Sequence, residues 1–156
     1  MSAMVRVSGR VRFDADAFKV YVYLARTVLA HAVDRQSDDS ISTATTILTR
    51  YETRLGPLKI NTTEEATLAP GQSITWRHVD GPLTGSLERF RIQVAGGGGA
   101  LALYEAEIRA RNKLLRGPLE WLLVVPLTRM VSMKALKEAR KSLEGERRPE
   151  TGVPPA

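Results

Sequence analysis

The stretch from Thr43 to Arg111 is divided into strand-like runs of about ten residues by turn signals rich in glycine and proline. This spacing predicts an antiparallel meander of five strands with one buried face. Because such a face must be covered by another layer, the rest of the chain is expected to supply a lid. The turn signals are Gly56-Pro57, Ala69-Pro70-Gly71, Asp80-Gly81-Pro82 and Gly96 to Gly99.

The segment after the meander supplies that lid. Pro118 suits the first turn of a helix, and the apolar residues that follow keep near-helical spacing as far as Leu143. This pattern predicts one long amphipathic helix. Pro126 lacks an N–H and is therefore expected to kink the helix or to split it near residues 122 to 126.

Before the meander, the sequence predicts a strand followed by a helix. Apolar residues alternate with basic and polar ones from Val5 to Phe13, which is typical of a half-buried strand. Asp14 and Asp16 can each cap a helix that is predicted to run from about Asp16 to about Ala30. The polar stretch 34 to 42 is predicted to be a loop, with a short strand near Ala32.

This order of elements predicts an α+β fold in which a curved antiparallel sheet wraps the last helix. It resembles the helix-grip superfamily of START-like, Bet v 1-like (SRPBCC) domains, and within it the bacterial polyketide cyclase/dehydrase and lipid-transport group. The resemblance implies six to seven strands, with one or two short helices after the first strand. It rests on Phe13-Asp14-Ala15-Asp16 and the helix after it, the run from Trp76 to Phe90, the glycine-rich hairpin before Ala100, and the ending from Ala135 to Glu144.

Residues 1 to 144 are therefore expected to form a single domain. Residues 145 to 156 contain three prolines and no apolar periodicity, so a disordered tail is predicted.

The chain has no cysteine, which excludes thiolate metal sites and suits the cytoplasm. With only two histidines and no pair at ligand spacing, neither a metal nor another cofactor is predicted.

The net charge of +6 is uneven: residues 1 to 80 hold ten basic and nine acidic groups, and residues 81 to 156 hold thirteen and eight. A basic second half can attract anionic lipid, so weak contact with an anionic membrane is one expectation. The alternative is a solvated face, because acidic residues are interleaved with the basic ones. No nucleic-acid motif is present, and no specific nucleic-acid partner is predicted.

In a helix-grip fold the concave face of the sheet and the last helix enclose a cavity, so the inward-facing strand residues are the candidate site. His78 is the leading candidate for a general base, and Glu64 or Glu88 could orient it. Tyr51 or Tyr104 could hold a carbonyl oxygen, which would suit aldol cyclisation or dehydration. The proposed catalytic residues are His78, Tyr51, Glu64 and Glu88, and the proposed ligand-binding residues are Ile47, Tyr51, Thr62, Trp76, His78, Ser86, Phe90, Tyr104, Trp121, Leu122 and Met130.

Each of these assignments has a structural alternative. His78 could be a rim histidine that merely hydrogen-bonds, and a β-bulge could turn Glu64 or Glu88 to solvent. The aromatic side chains could be ordinary core.

Three functions follow from the resemblance. The first is binding of a hydrophobic, aromatic or polyketide-like molecule by a monomer or a homodimer, as a carrier, in biosynthesis, or in self-resistance by trapping a secondary metabolite. The second is a polyketide cyclase or aromatase that uses general acid–base residues in the cavity, and the third is binding of a quinone or a lipid.

Overall fold

The structure, a computed structural model, describes residues 4–55, 58–109 and 118–145. Six strands form one antiparallel sheet that does not close, in the order β1-β6-β5-β4-β3-β2. The predicted α+β helix-grip class is confirmed. The strands are β1 Met4–Phe13, β2 Thr45–Leu55, β3 Leu58–Ala69, β4 Ser73–Asp80, β5 Leu87–Val94 and β6 Ala100–Arg109, and the helices are α1 Ala17–Ala30, α2 Asp39–Ser42 and α3 Pro118–Gly145.

The five strands β2 to β6 follow one another as the predicted meander, and β1 returns to pair with β6. Alternation places one set of side chains on the concave face, where they form the core with α1 and α3. Along β6 this set runs from Ala100 through Tyr104 to Ile108, all buried.

Helix α1 begins where its sequence signal lies. The Asp16 side chain accepts hydrogen bonds from the backbone N–H groups of Phe18 (2.9 Å) and Lys19 (3.4 Å), which caps the first turn. Its apolar face packs into the core. Residues 31 to 33, which follow α1, run along the outer edge of β2, with an isolated bridge between Ala32 and Thr49.

The stretch 34 to 42 differs from the predicted loop, because its end forms the short helix α2. Ile41 buries its side chain there, and its carbonyl oxygen accepts a hydrogen bond from the Tyr21 hydroxyl at 3.0 Å. One buried residue in a polar stretch gives little periodicity, so the sequence pattern could not indicate this turn of helix.

Helix α3 is continuous through Pro126, so the predicted split does not occur. It packs against β1, β6 and α1. Gly9 on β1 lets α3 approach this strand closely, since a Cβ at this position would lie 2.4 Å from Met133 Sδ. Among the described helices, none contains an apolar stretch that could span a bilayer. The predicted tail lies outside the described residues, apart from Gly145 at the end of α3.

Candidate functional site

Three titratable side chains from three neighbouring strands meet on the concave face. Glu64 on β3 is directly opposite His78 on β4, and Glu88 follows on β5. The β3–β4 register shifts beside this pair, so that Asp80 is opposite Thr63 on the outer face and is exposed. The irregularity therefore leaves His78 and Glu64 facing inward and turns the next acidic residue to solvent.

His78 lies between the two carboxylates. Its side chain is 3% exposed, and its Nε2 lies 2.7 Å from Glu88 Oε1. Its Nδ1 lies 3.3 Å from Glu64 Oε1, but among the described residues this nitrogen has no hydrogen bond of acceptable geometry. One imidazole nitrogen is thus fixed and the other is buried without a hydrogen-bond partner in the described part of the chain.

Hydroxyl groups hold the carboxylates in place. The second oxygen of Glu88, Oε2, accepts hydrogen bonds from the Tyr104 hydroxyl at 2.6 Å and from Ser132 Oγ at 3.4 Å. Thr62 Oγ1 donates to Glu64 Oε1 at 2.9 Å. A carboxylate can only accept hydrogen bonds. The imidazole Nε2–H is therefore the donor to the other oxygen, Glu88 Oε1.

The protonation of the pair follows from burial and charge. Burial opposes a charge on His78, but the hydrogen bond to Glu88 and the charges of Glu64 and Glu88 outweigh it and raise the pKa of the imidazole. Burial raises the pKa of Glu64, although the attraction of His78 opposes the shift. Since both shifts have the same direction, the pair keeps a proton to higher pH than either group would in water.

Aromatic side chains form a continuous row across the same face. The Trp76 indole N–H donates to the Tyr51 hydroxyl at 3.2 Å, and the Trp76 ring meets Phe90 edge-to-face at a centroid distance of 5.1 Å. Phe90 in turn meets Tyr104 at 5.5 Å. Burial raises the pKa of Tyr51 to about 12, so this phenol keeps its proton at neutral pH. Burial and the neighbouring Glu88 also raise the pKa of Tyr104.

The predicted site residues fall into distinct groups. His78, Glu64, Glu88 and Thr62 are brought into direct contact. Tyr51, Trp76, Phe90 and Tyr104 form the aromatic row, and Ile47 is buried on the same face of β2.

The remaining predicted residues are not part of this contact cluster. Ser86 Oγ donates to the Arg109 carbonyl at 3.1 Å and accepts from its N–H at 2.8 Å, which ties β5 to the end of β6. Met130 is 59% exposed on α3. The side chains of Trp121 and Leu122 lie outside the described part of the chain.

Two contacts were not predicted. Ser132 reaches Glu88 from α3; its position in the buried stripe that continues through Leu136 and Ala139 was the available signal. His31 stacks on Tyr51 at 4.5 Å, and no short-range pattern indicates a contact between these segments. The described residues contain no group of three or more His, Cys, Asp or Glu side chains that could hold a metal ion.

Comparison with known proteins found no matching family model and no matching curated protein. Solved structures do match. The Zhui aromatase/cyclase from Streptomyces sp. R1128 has a TM-score of 0.69 and 16% identity over 97% of this chain and 100% of that one. The di-domain aromatase/cyclase BexL of the BE-7585A biosynthetic pathway has a TM-score of 0.68 and 19% identity over 94% of this chain and 51% of that one.

A third match is a solved complex. Norcoclaurine synthase from Thalictrum flavum, in complex with dopamine and hydroxybenzaldehyde, has a TM-score of 0.60 and 12% identity over 96% of this chain and 91% of that one. At these identities the matches establish a shared fold.

Proposed function

We propose, because the chain has the START-like, Bet v 1-like helix-grip fold, that it binds a hydrophobic, aromatic or polyketide-like small molecule between the concave face of the sheet and α3. The observation that carries the proposal is the buried Nδ1 of His78, which lacks a hydrogen-bond partner among the described residues. It lies near the buried carboxylate of Glu64, and the half-buried carboxylate of Glu88 faces the other ring nitrogen. An unsatisfied buried polar group costs about 1 to 3 kcal/mol, so packing alone does not favour this arrangement. A ligand that supplies a polar group would offset the cost.

The aromatic row favours a planar ligand. Trp76, Phe90 and Tyr104 are inward-facing and already pack edge-to-face, which is how aromatic side chains accommodate a further ring. Two of the structures that share the fold are aromatase/cyclases, and a third is in complex with two hydroxyaromatic compounds. A carrier in biosynthesis, or a trap for a reactive metabolite, would need no more than a binding site lined by this row.

Titration with a hydroxylated polycyclic aromatic compound tests this proposal. We expect saturable binding accompanied by a change in the proton NMR signals of the His78 ring. The chain has only two histidines, so the spectrum of His78→Gln assigns these signals. Binding that leaves the His78 signals unchanged, or no binding at all, would contradict the proposal.

A second candidate function, a polyketide cyclase or aromatase, is favoured by the Glu64–His78–Glu88 row. With Nε2–H donating to Glu88, Nδ1 is the nitrogen that can exchange a proton with a substrate. In its neutral form it would take a proton from a methylene group between two carbonyls. The electron pair left on that carbon would form a carbon–carbon bond to another carbonyl carbon, whose oxygen is then protonated.

Loss of water would complete the cyclisation. Removal of a second proton from the same carbon, with protonation of the new hydroxyl by the Glu64–His78 pair, expels water and forms a double bond. The Tyr51 hydroxyl accepts from Trp76 and retains its own proton, so it could donate to a substrate carbonyl. Mass spectrometry of the bound compound separates the two functions, since a carrier returns it unchanged and a cyclase returns it lighter by one water.

A further inference from the structure

An open pocket of about 380 Å³ lies beside the end of α1 and the β2–β3 edge of the sheet. His31, Tyr51 and Asn61 are among its lining residues. Its volume is within the range of small-molecule sites. Tyr51 belongs both to this pocket and to the aromatic row, because its hydroxyl accepts the indole N–H of Trp76.

Three contacts position His31 at the pocket wall. Its carbonyl accepts a hydrogen bond from the Arg50 backbone N–H at 3.0 Å, which joins the chain after α1 to the edge of β2. Its Nδ1 lies 2.8 Å from the Thr27 carbonyl oxygen and therefore donates to it. The ring then stacks on Tyr51 with a centroid distance of 4.5 Å and an interplanar angle of 25°. The backbone, one ring nitrogen and one ring face of His31 therefore all have contacts within the chain.

The aromatic contacts therefore continue from an exposed pocket to the acid–base cluster. They pass from His31 to Tyr51, Trp76, Phe90 and Tyr104, and the Tyr104 hydroxyl donates to Glu88. A ligand whose polar end meets His78 would extend along this row, and a ligand with more rings would extend further towards the pocket.

We propose, resting on the proposed function, that the pocket beside His31 and Tyr51 is a second part of the binding site, which takes the distal ring of a multi-ring hydroxyaromatic ligand. The hydroxyl end lies at the His78 cluster, and the far ring packs against His31 and Tyr51. The site then selects ligands by their number of fused rings.

The test is a ring series of phenol, 2-naphthol and 2-hydroxyanthracene, titrated calorimetrically into the full chain and into His31→Ala. Contacts between aromatic rings are worth enough to change affinity about three- to tenfold. We expect His31→Ala to weaken binding of 2-hydroxyanthracene by that factor and to leave phenol binding within about twofold. His31→Phe keeps a ring at the wall and should retain most of the affinity of the intact chain for the three-ring compound.

The outcomes separate the two proposals. Unchanged binding of 2-hydroxyanthracene to His31→Ala, or an equal loss for phenol, would overturn the second subsite and leave the proposed function standing. If the intact chain binds none of the three compounds, the proposed function fails and the subsite fails with it. Because the His31 side chain is exposed, the substitution leaves the core intact, which circular dichroism checks.

Discussion

The imidazole Nε2 of His78 lies 2.7 Å from Glu88 Oε1, while the other oxygen of the same carboxylate accepts the Tyr104 hydroxyl at 2.6 Å. One carboxylate thus fixes the histidine tautomer and is itself fixed by a buried phenol. The nitrogen that remains, Nδ1, lies beside Glu64. The roles proposed above follow from this order of contacts.

If the protein is a cyclase, His78→Gln should remove most of the turnover. Loss of a general acid–base group lowers rates by about 10² to 10⁴, whereas ligand affinity should stay within about tenfold, because the aromatic row is intact. Single-turnover assays and calorimetry measure the two effects. Glu105→Gln is the matched control, since this exposed glutamate pairs with Arg91 on the outer face. Equal turnover in His78→Gln and the intact chain would contradict the catalytic role.

Stability should fall as the pH rises. Both His78 and Glu64 have a raised pKa in the folded chain, so the folded state holds protons that the unfolded state releases. The stabilisation is fully present below the ordinary values, 4.5 for Glu64 and 6.5 for His78, and is lost as the pH rises through the folded-state pKa of each group.

Urea denaturation over a pH series measures this dependence, and NMR titration of the His78 ring gives its midpoint directly. We expect the midpoint above 6.5 and a smaller loss of stability above that pH in His78→Gln. A midpoint below 6.5 would show that burial, not the carboxylates, controls the imidazole.

Tyr104→Phe should destabilise the fold. The substitution removes a hydrogen bond to a carboxylate, and such bonds contribute about 1.5 to 3 kcal/mol. Tyr23→Phe is the control, because the Tyr23 hydroxyl makes no hydrogen bond with the described residues, and its free energy of unfolding should change by less than about 0.5 kcal/mol. Equal effects of the two substitutions in chemical denaturation would mean that the Tyr104 contact contributes nothing.

The β5–β6 hairpin offers a matched pair of glycines. A Cβ at Gly99 would lie 2.4 Å from the Phe13 carbonyl oxygen, a backbone atom, whereas a Cβ at Gly96 meets nothing within 4 Å. Gly99→Ala should therefore lower the free energy of unfolding by about 1 to 3 kcal/mol, and Gly96→Ala should leave it within about 0.5 kcal/mol. Thermal unfolding of both variants tests this, and a neutral Gly99→Ala would mean that the hairpin moves away from β1 at no cost.

Much of the fold could be predicted because local signals agreed with one another. Turn residues separated the strands of the meander, Asp16 marked the start of α1, and Pro118 marked the start of α3. The continuity of α3 through Pro126 could not be read from the sequence, since tertiary packing can hold a helix together where a backbone hydrogen bond is missing.

The orientation of the candidate side chains was predictable where alternation decided it. Glu64, His78 and Glu88 face inward as their parity indicated, and the register shift in the β3–β4 pairing falls next to Glu64 without turning it outward. Ser86 shows the limit of this reasoning, because an inward-facing hydroxyl can be consumed by backbone contacts that depend on a neighbouring strand. The stacking of His31 on Tyr51 depends on how the chain leaves α1, which no local pattern encodes.

The meander also bears on how a protein with this fold can change its chemistry over evolutionary time. Because β2 to β6 are consecutive, the groups from Tyr51 to Tyr104 lie in one continuous segment of the chain, and recombination between related genes would transfer them together. Ser132 is encoded outside that stretch, on α3. A chimaera would thus inherit the acid–base row from one parent and its helix contact from the other, which makes position 132 the first place to look for compensating substitutions.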